Sequence, residues 1–231
     1  MIDSDQKKSL FDRIRIKVEK KFGKSNYGKV WTKDNQWYNE IHNSNPLLHE
    51  DFVKYFKGKK DVKTVLEIGC GTGIYPIQMK EMFEGIQYTG IDISDEAIEY
   101  CKKNSEFEFI CGDFIKMDIT KKYDLVYSHA VVDHVYDIDA FISKIVKTCN
   151  KYAYINSYRG YFPELKEHKM TWDGHNGCYF NDLSIQQTRE NLLKSGLSED
   201  EFVIRSQESG QQGKNVNLQM VIEITKKIKH L

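Results

Sequence analysis

An α/β fold built on a mostly parallel sheet is predicted by three features of the sequence. β-Branched segments alternate with helical segments of about 10–15 residues, the spacing of right-handed β-α-β crossovers. A glycine-rich turn, Gly69-Cys70-Gly71-Thr72-Gly73, leaves the first strong strand. Two strand-like runs end the chain, joined by a Gly-containing turn, so an antiparallel hairpin is expected at one edge.

The elements follow from pattern and punctuation. Residues 4–22 place Leu10, Phe11, Ile14, Val18 and Phe22 at helical spacing. An aromatic run follows (Tyr27, Trp31, Trp37, Tyr38), then a second helix over 46–57 with Pro46 in its first turn. TVLEI (64–68) is a β-branched strand, and a helix is expected over 75–83. Strand QYTGIDI (87–93) leads to a helix that Ser94 caps. Then come strands at 107–113 and 123–129, a helix at 139–149 and a strand at 152–158. About two dozen irregular residues interrupt the alternation before a helix at 182–195, which Ser195-Gly196 stops. EFVIRSQ and NLQMVIEIT, flanking ESGQQGKN, form the terminal hairpin.

Composition narrows the function classes. With 231 residues the chain can bury a core without staples. Thirty-four basic residues balance 34 acidic ones, which argues against a main role in gripping nucleic acid or an anionic membrane. No run approaches the roughly 20 apolar residues of a membrane span, and the N-terminus lacks the apolar core of a secretory signal. The five cysteines (70, 101, 111, 149, 178) contain no C-x-x-C pair. A reduced, cytoplasmic protein is expected.

The chemistry is written at the strand ends. Glycines after the first strand let the backbone turn sharply and bring main-chain N–H groups against a ligand. A dinucleotide fingerprint G-x-G-x-x-G needs glycine at position 74, where this chain has Ile74, so an NAD-dependent oxidoreductase is disfavoured. Glu67, ahead of the loop, suits a cationic ligand better than a pyrophosphate. Asp92, 19 residues after Gly73, ends the next strand, where an acid can accept from both ribose hydroxyls. Gly112-Asp113-Phe114 ends the third strand and pairs an acceptor with an aromatic, a combination that suits adenine.

Taken in order, VLEIGCGTG, GIDIS, CGDF and YDLVYSHAVVDHV resemble motifs I to IV of class I S-adenosylmethionine-dependent methyltransferases. The resemblance is strong over residues 62–158 and weaker to the terminal hairpin. It implies a seven-stranded Rossmann-like sheet of order 3-2-1-4-5-7-6 with strand 7 antiparallel. It implies S-adenosyl-L-methionine as cofactor, S-adenosyl-L-homocysteine as product, and a cofactor site of Glu67, Gly69, Cys70, Gly71, Asp92, Ile93, Asp113, Phe114 and Ser128. Residues 1–60 become a helical lid bringing Tyr27 and Trp31 over the cofactor. Residues 61–231 become the catalytic domain, with an acceptor-shaping insert at about 158–181 that carries Trp172, His175, Tyr179 and Phe180.

His129, Asp133 and His134 follow the fourth strand, where the family faces the transferred methyl, and are the candidate catalytic residues; histidine is the usual base near neutral pH. The Asn/Asp-Pro-Pro-Tyr tetrad of amino-methylating relatives is absent. Asp133-His134 matches the end of a metal-binding Glu-x-x-Glu-His pattern, with His168 or His175 as further donors. Ala130 replaces the first acid, however, and no metal ligands are assigned. Cys70 is read as a small loop residue and Asp124 as a structural acceptor. The expectation is methyl transfer to a small polar acceptor, oxygen favoured over nitrogen. Methylation of a protein or RNA, or a cofactor-binding subunit without activity, are the alternatives. No membrane partner is expected, and acceptor and oligomeric state stay open.

Overall fold

The computed structural model describes residues 26–32, 50–208 and 218–227. The helix expected at 4–22, the aromatics Trp37 and Tyr38, Pro46 and most of the Gly-containing turn near the end lie outside them. Nine strands are described: β1 (Thr64–Ile68), β2 (Gln87–Asp92), β3 (Glu108–Cys111), β4 (Tyr123–His129), β5 (Cys149–Ser157), β6 (Lys169–Asp173), β7 (Cys178–Asp182), β8 (Phe202–Glu208) and β9 (Leu218–Thr225). The α-helices are α1 (Glu50–Lys57), α2 (Asp95–Asn104), α3 (Ile138–Thr148) and α4 (Ile185–Lys194).

Seven strands form the main sheet in the order β3-β2-β1-β4-β5-β9-β8. Only β9 runs antiparallel to its neighbours, pairing Ile155 with Ile222 on one side and Ile204 with Ile222 on the other. Counted within the sheet alone, this is the expected 3-2-1-4-5-7-6. The insert contributes its own two-stranded sheet, β6-β7, in a stretch expected to be irregular.

Strand alternation splits the core into two layers. Leu66 and Ile68 of β1 and Val126 of β4 point toward α3 and α4, meeting Phe141, Ile142, Ile145 and Leu192. Val65, Leu125 and Tyr127 point the other way, toward Phe52 and Phe56 of α1 and Ile98 of α2. Both faces are buried, so the central strands read as nearly continuous apolar runs.

Capping decides where the helices begin. Ser94 accepts from the Ala97 N–H at 3.3 Å, Asp137 from Ala140 at 2.9 Å and Ser184 from Gln187 at 3.2 Å. Each satisfies one orphan amide of a first turn. The helix expected over 75–83 does not form as one unit. A π-turn (Ile74–Gln78) gives way at Met79 to a 3-10 turn (Lys80–Phe83). Pro76 sits in the first of these and carries no amide to donate.

Among the described residues no helix is long and apolar enough to cross a membrane. Asp124, at the start of β4, is a structural acceptor as expected: its Oδ2 takes the Lys63 and Thr64 amides at 2.9 and 3.2 Å.

Candidate functional site

The carboxyl ends of β1, β2, β3 and β4 open on one side of the sheet into a cavity of about 320 Å³. That is the lower end of the range for small-molecule and cofactor pockets. It lies between β1 and β4, where the strand order reverses, the place where open α/β sheets bind ligands. Its floor is the loop from Glu67 to Thr72; its walls include Asp92, Ile93, Asp113, Phe114, His129 and His134, and Tyr27 and Trp31 also line it.

The loop explains its own sequence. Gly69, Gly71 and Gly73 all have positive φ (74°, 51° and 71°). A Cβ on Gly69 would lie 2.1 Å from Val131 Cγ2, whereas one on Gly71 would meet nothing within 4 Å. The first glycine lets β4's following loop approach; the second leaves its backbone open to a ligand. Cys70 is buried and its thiol is pushed well up, by the hydrogen bond with Cys101 and by burial. It is therefore an inert filler.

Asp92 is tied to two amides: its Oδ2 accepts from Gly71 at 2.8 Å and its Oδ1 from Ser94 at 2.9 Å. Burial nevertheless raises its pKa. Asp113 accepts from the Ile115 amide at 3.0 Å and the Tyr136 hydroxyl at 2.9 Å, with Lys116 Nζ at 3.2 Å. Phe114 is buried, its ring 5.6 Å from Phe141.

Glu67 sits deepest. Tyr88 and Tyr127 both donate to its Oε2, the latter at 2.7 Å. Those bonds favour the carboxylate, but complete burial outweighs them and pushes its pKa up to about 8. In the unfolded chain the same group ionises near 4.5. Between these values the folded state binds the extra proton, so stability is full below about 4.5 and falls as pH rises through 8. Glu67→Gln is expected to flatten the decline of Tm between pH 5 and 8, read by thermal melts of both proteins. Equal slopes would show that Glu67 is not the titrating group.

Two histidines reach the cavity by different routes. The His129 ring stands in an aromatic box, with Phe52 at 4.7 Å and Tyr75 and Tyr154 each at 5.5 Å. His134 Nδ1 lies 2.7 Å from the Tyr179 carbonyl and Nε2 lies 3.2 Å from the Tyr158 hydroxyl. Burial, and then the nearby Arg159 charge, lower the His134 pKa, so the ring is neutral near pH 7. A carbonyl only accepts, so Nδ1 carries the proton and Nε2 presents a lone pair.

Two expected site residues fall elsewhere. Asp133 is fully buried outside the cavity, accepting from Ser157 Oγ (2.6 Å) and the amides of Tyr158 (3.3 Å) and Arg159 (3.1 Å). It anchors the chain leaving β5 and is not among the residues that line the cavity, so the expected placement beside the reacting atoms is not seen. Ser128 is likewise buried inside the sheet, level with Ile68 and Ile155, and does not line the cavity. Adjacent residues on a strand end face opposite ways, which chain position alone does not reveal. His168 accepts the Ser184 amide at the start of α4, and His175 sits in the exposed β6-β7 turn, so neither joins Asp133 and His134. Among the described residues, no three His, Cys, Asp or Glu side chains are grouped to hold a metal ion.

The structure also brings in residues that the motifs did not mark. Ala130 has φ 57°, the only positive value at a non-glycine among the described residues, and it lines the cavity. Such strain concentrates at functional sites. Tyr136 holds Asp113 and packs its ring 5.1 Å from Tyr27. The segment carrying Tyr27 and Trp31 docks on the insert, Gly28 N donating to Gly177 O at 2.8 Å. Trp31 stands 5.7 Å from the His134 ring and Phe180 5.6 Å from it.

Known proteins agree with this architecture. A family described as "Methyltransferase domain" matches residues 59–195. The chain is 31% identical over 154 residues to the ubiquinone biosynthesis O-methyltransferase of Pelagibacter ubique, covering 60% of this chain and 62% of that one. It is 32% identical over 111 residues to the ribosomal protein L11 methyltransferase of Dictyoglomus turgidum, covering 46% and 36%. The chain thus spans about a third to three-fifths of the length of these relatives. In fold it is similar to a plantazolicin methyltransferase crystallised with S-adenosylhomocysteine (SAH) and a desmethyl analogue (TM-score 0.61, 16% identity, covering 95% and 100%). It is similar too to the magnesium protoporphyrin IX methyltransferase of Synechocystis PCC 6803 with bound SAH (TM-score 0.57, 14% identity, covering 93% and 99%). With the family match covering more than half of its residues and the sheet order in place, the chain belongs to the class I S-adenosylmethionine-dependent methyltransferases.

Proposed function

We propose that this protein binds S-adenosyl-L-methionine in the cavity at the switch point and transfers its methyl group to a small acceptor, through oxygen. The residues present suit that cofactor. Gly69 and Gly71 leave the floor open to the methionine part, and Asp92 keeps lone pairs for the ribose hydroxyls. Ile93 and Phe114 offer apolar walls for adenine, with Asp113 beside them, and Glu67, held by Tyr88 and Tyr127, lines the same cavity. Bound there, the sulfonium supplies an already activated methyl electrophile. The protein's share is to align the acceptor, shed water and accept a proton.

The observation that carries the oxygen preference is His134: a neutral imidazole with an unprotonated Nε2, fixed by the Tyr179 carbonyl and hydrogen-bonded by the Tyr158 hydroxyl. A hydroxyl acceptor must lose its proton as it is methylated, and this lone pair can receive it. Trp31 and Phe180 flank that ring and give the acceptor apolar cover. Relatives described as ubiquinone biosynthesis and malonyl-[acyl-carrier protein] O-methyltransferases fit oxygen, although others are described as N- or C-methyltransferases. A ribosomal protein methyltransferase among them keeps a macromolecular acceptor as the second reading.

The test is calorimetry with S-adenosylhomocysteine and NAD, followed by transfer of labelled methyl to phenols, alcohols, carboxylic acids, amines and a ribosomal extract. Binding of NAD in place of the homocysteine product would overturn the cofactor assignment. His134→Asn keeps a donor for the Tyr179 carbonyl but removes the base. It is expected to bind cofactor normally and to lose roughly 100-fold or more in turnover. Unchanged turnover would remove His134 from the chemistry.

A further inference from the structure

We propose that Tyr158 is the positioning residue for His134 and the relay through which an acceptor hydroxyl passes its proton to Nε2. This inference rests on the His134 reading above. Nothing in the motifs marks Tyr158, which lies just beyond the end of β5.

The geometry runs in one direction only. Because Nδ1 must donate to the Tyr179 carbonyl, the neutral ring has only Nε2 with which to accept. The Tyr158 hydroxyl, 3.2 Å away, therefore donates to it. Two partners, one on each nitrogen, fix both the tautomer and the rotation of the ring. The tyrosine is itself held. Asp133, completely buried, accepts the backbone amides of Tyr158 and Arg159 and the hydroxyl of Ser157. The residue before His134 in sequence thus fixes the strand end that carries its partner, which gives Asp133 a role without contact with substrate.

Tyr158 is 38% exposed, while His134 is half-buried beneath Trp31 and Phe180. Tyr158 is not among the residues that line the cavity, so the relay places the acceptor hydroxyl just outside the cofactor cavity, on the side of the imidazole that Tyr158 occupies. With its proton given to Nε2, the phenol oxygen has lone pairs left to accept from an incoming O–H. As the acceptor oxygen takes the methyl group, its O–H bond breaks and the carbon–sulfur bond breaks with its electron pair left on sulfur. The released proton moves to Tyr158 Oη as the tyrosine's own proton moves to Nε2. Tyrosine ends neutral and histidine ends protonated, so charge and atoms balance. The acceptor class that this arrangement suits is a hydroxyl acidic enough for a neutral imidazole to assist, an enol or a phenol. Burial keeps the Tyr158 pKa at about 12, so the phenol stays protonated and able to donate.

The first measurement needs no acceptor. Nitrogen-15 NMR of the His134 ring, in the full chain saturated with S-adenosylhomocysteine, is expected to show a protonated Nδ1 and a bare, hydrogen-bonded Nε2. Tyr158→Phe should move the Nε2 resonance and shift the ring's titration midpoint, with cofactor affinity unchanged within twofold. An unchanged Nε2 signal, or a proton on Nε2 in the wild type, overturns the proposal. The kinetic arm uses phenol, catechol, cyclohexanol and aniline as probes. Tyr158→Phe is expected to lower kcat on the order of 10-fold or more with the cofactor KM unchanged. The double variant with His134→Asn should be no worse than His134→Asn alone, because the two act in series. If His134→Asn loses turnover and Tyr158→Phe does not, the relay is wrong and His134 stands. If the wild type methylates none of the probes, the hydroxyl reading and the relay fall together, whatever the ring signal.

Discussion

Asp92→Ala is expected to weaken binding of S-adenosylhomocysteine on the order of 100-fold or more while leaving the fold in place. Hydrogen bonds to a charged acceptor contribute about 1.5–3 kcal/mol each, and the ribose offers two hydroxyls. Losing both removes at least about 3 kcal/mol, hence two orders of magnitude in Kd. The structure adds a second cost. The same carboxylate holds the Gly71 amide at 2.8 Å and the Ser94 amide at 2.9 Å, so it also sets the loop that must receive the cofactor. The fold should survive because burial disfavours this charge, and relief of that penalty offsets the Gly71 and Ser94 amides left without their acceptor. Calorimetry and a thermal melt check the two halves together. Binding within threefold of wild type would mean that the ribose lies elsewhere.

Much of this arrangement was legible in the sequence because sheet topology and the loop are dictated locally. A β-branched strand running into Gly69-Cys70-Gly71-Thr72-Gly73 specifies its own sharp turn. The acids at 92 and 113 mark strand ends by position alone. Ser94 caps α2 as its residue type demands. What escaped was direction and distance. Asp133 and His134 are neighbours in sequence, yet one is sealed behind β5 and the other lines the cavity. No period-based argument separates them, because they follow the last residue of a strand. Tyr136 and Tyr158 gained their roles only through tertiary contacts with Asp113 and His134. The β6-β7 hairpin was readable in principle: TWDGHNGCYF carries Asp-Gly and Asn-Gly turn signals between aromatic-rich flanks. Its strands lack clean alternation, and β6 is largely exposed, so no apolar face announced it.

The loop itself offers the sharpest test of how sequence, packing and binding are joined. Gly69 and Gly71 both have positive φ, so alanine at either position meets the left-handed penalty, about 1–2 kcal/mol. They differ in what surrounds them. A methyl group on Gly69 would be driven to 2.1 Å from Val131 Cγ2, and Val131 belongs to the loop that carries Ala130 and His134. Relief requires moving that loop away from β1, and overpacking of this kind costs a further 1–3 kcal/mol or so. A methyl group on Gly71 meets nothing within 4 Å, and Gly71 lines the cavity proposed for the cofactor. Gly69→Ala is therefore expected to lose on the order of 3 kcal/mol of stability together with cofactor binding. Gly71→Ala should melt within a few degrees of wild type yet bind S-adenosylhomocysteine at least 10-fold more weakly. Denaturant unfolding and calorimetry on the pair separate a glycine needed for packing from one needed for a ligand. Equal stability losses would show that φ alone governs this loop, and undiminished binding by Gly71→Ala would place the cofactor away from its backbone.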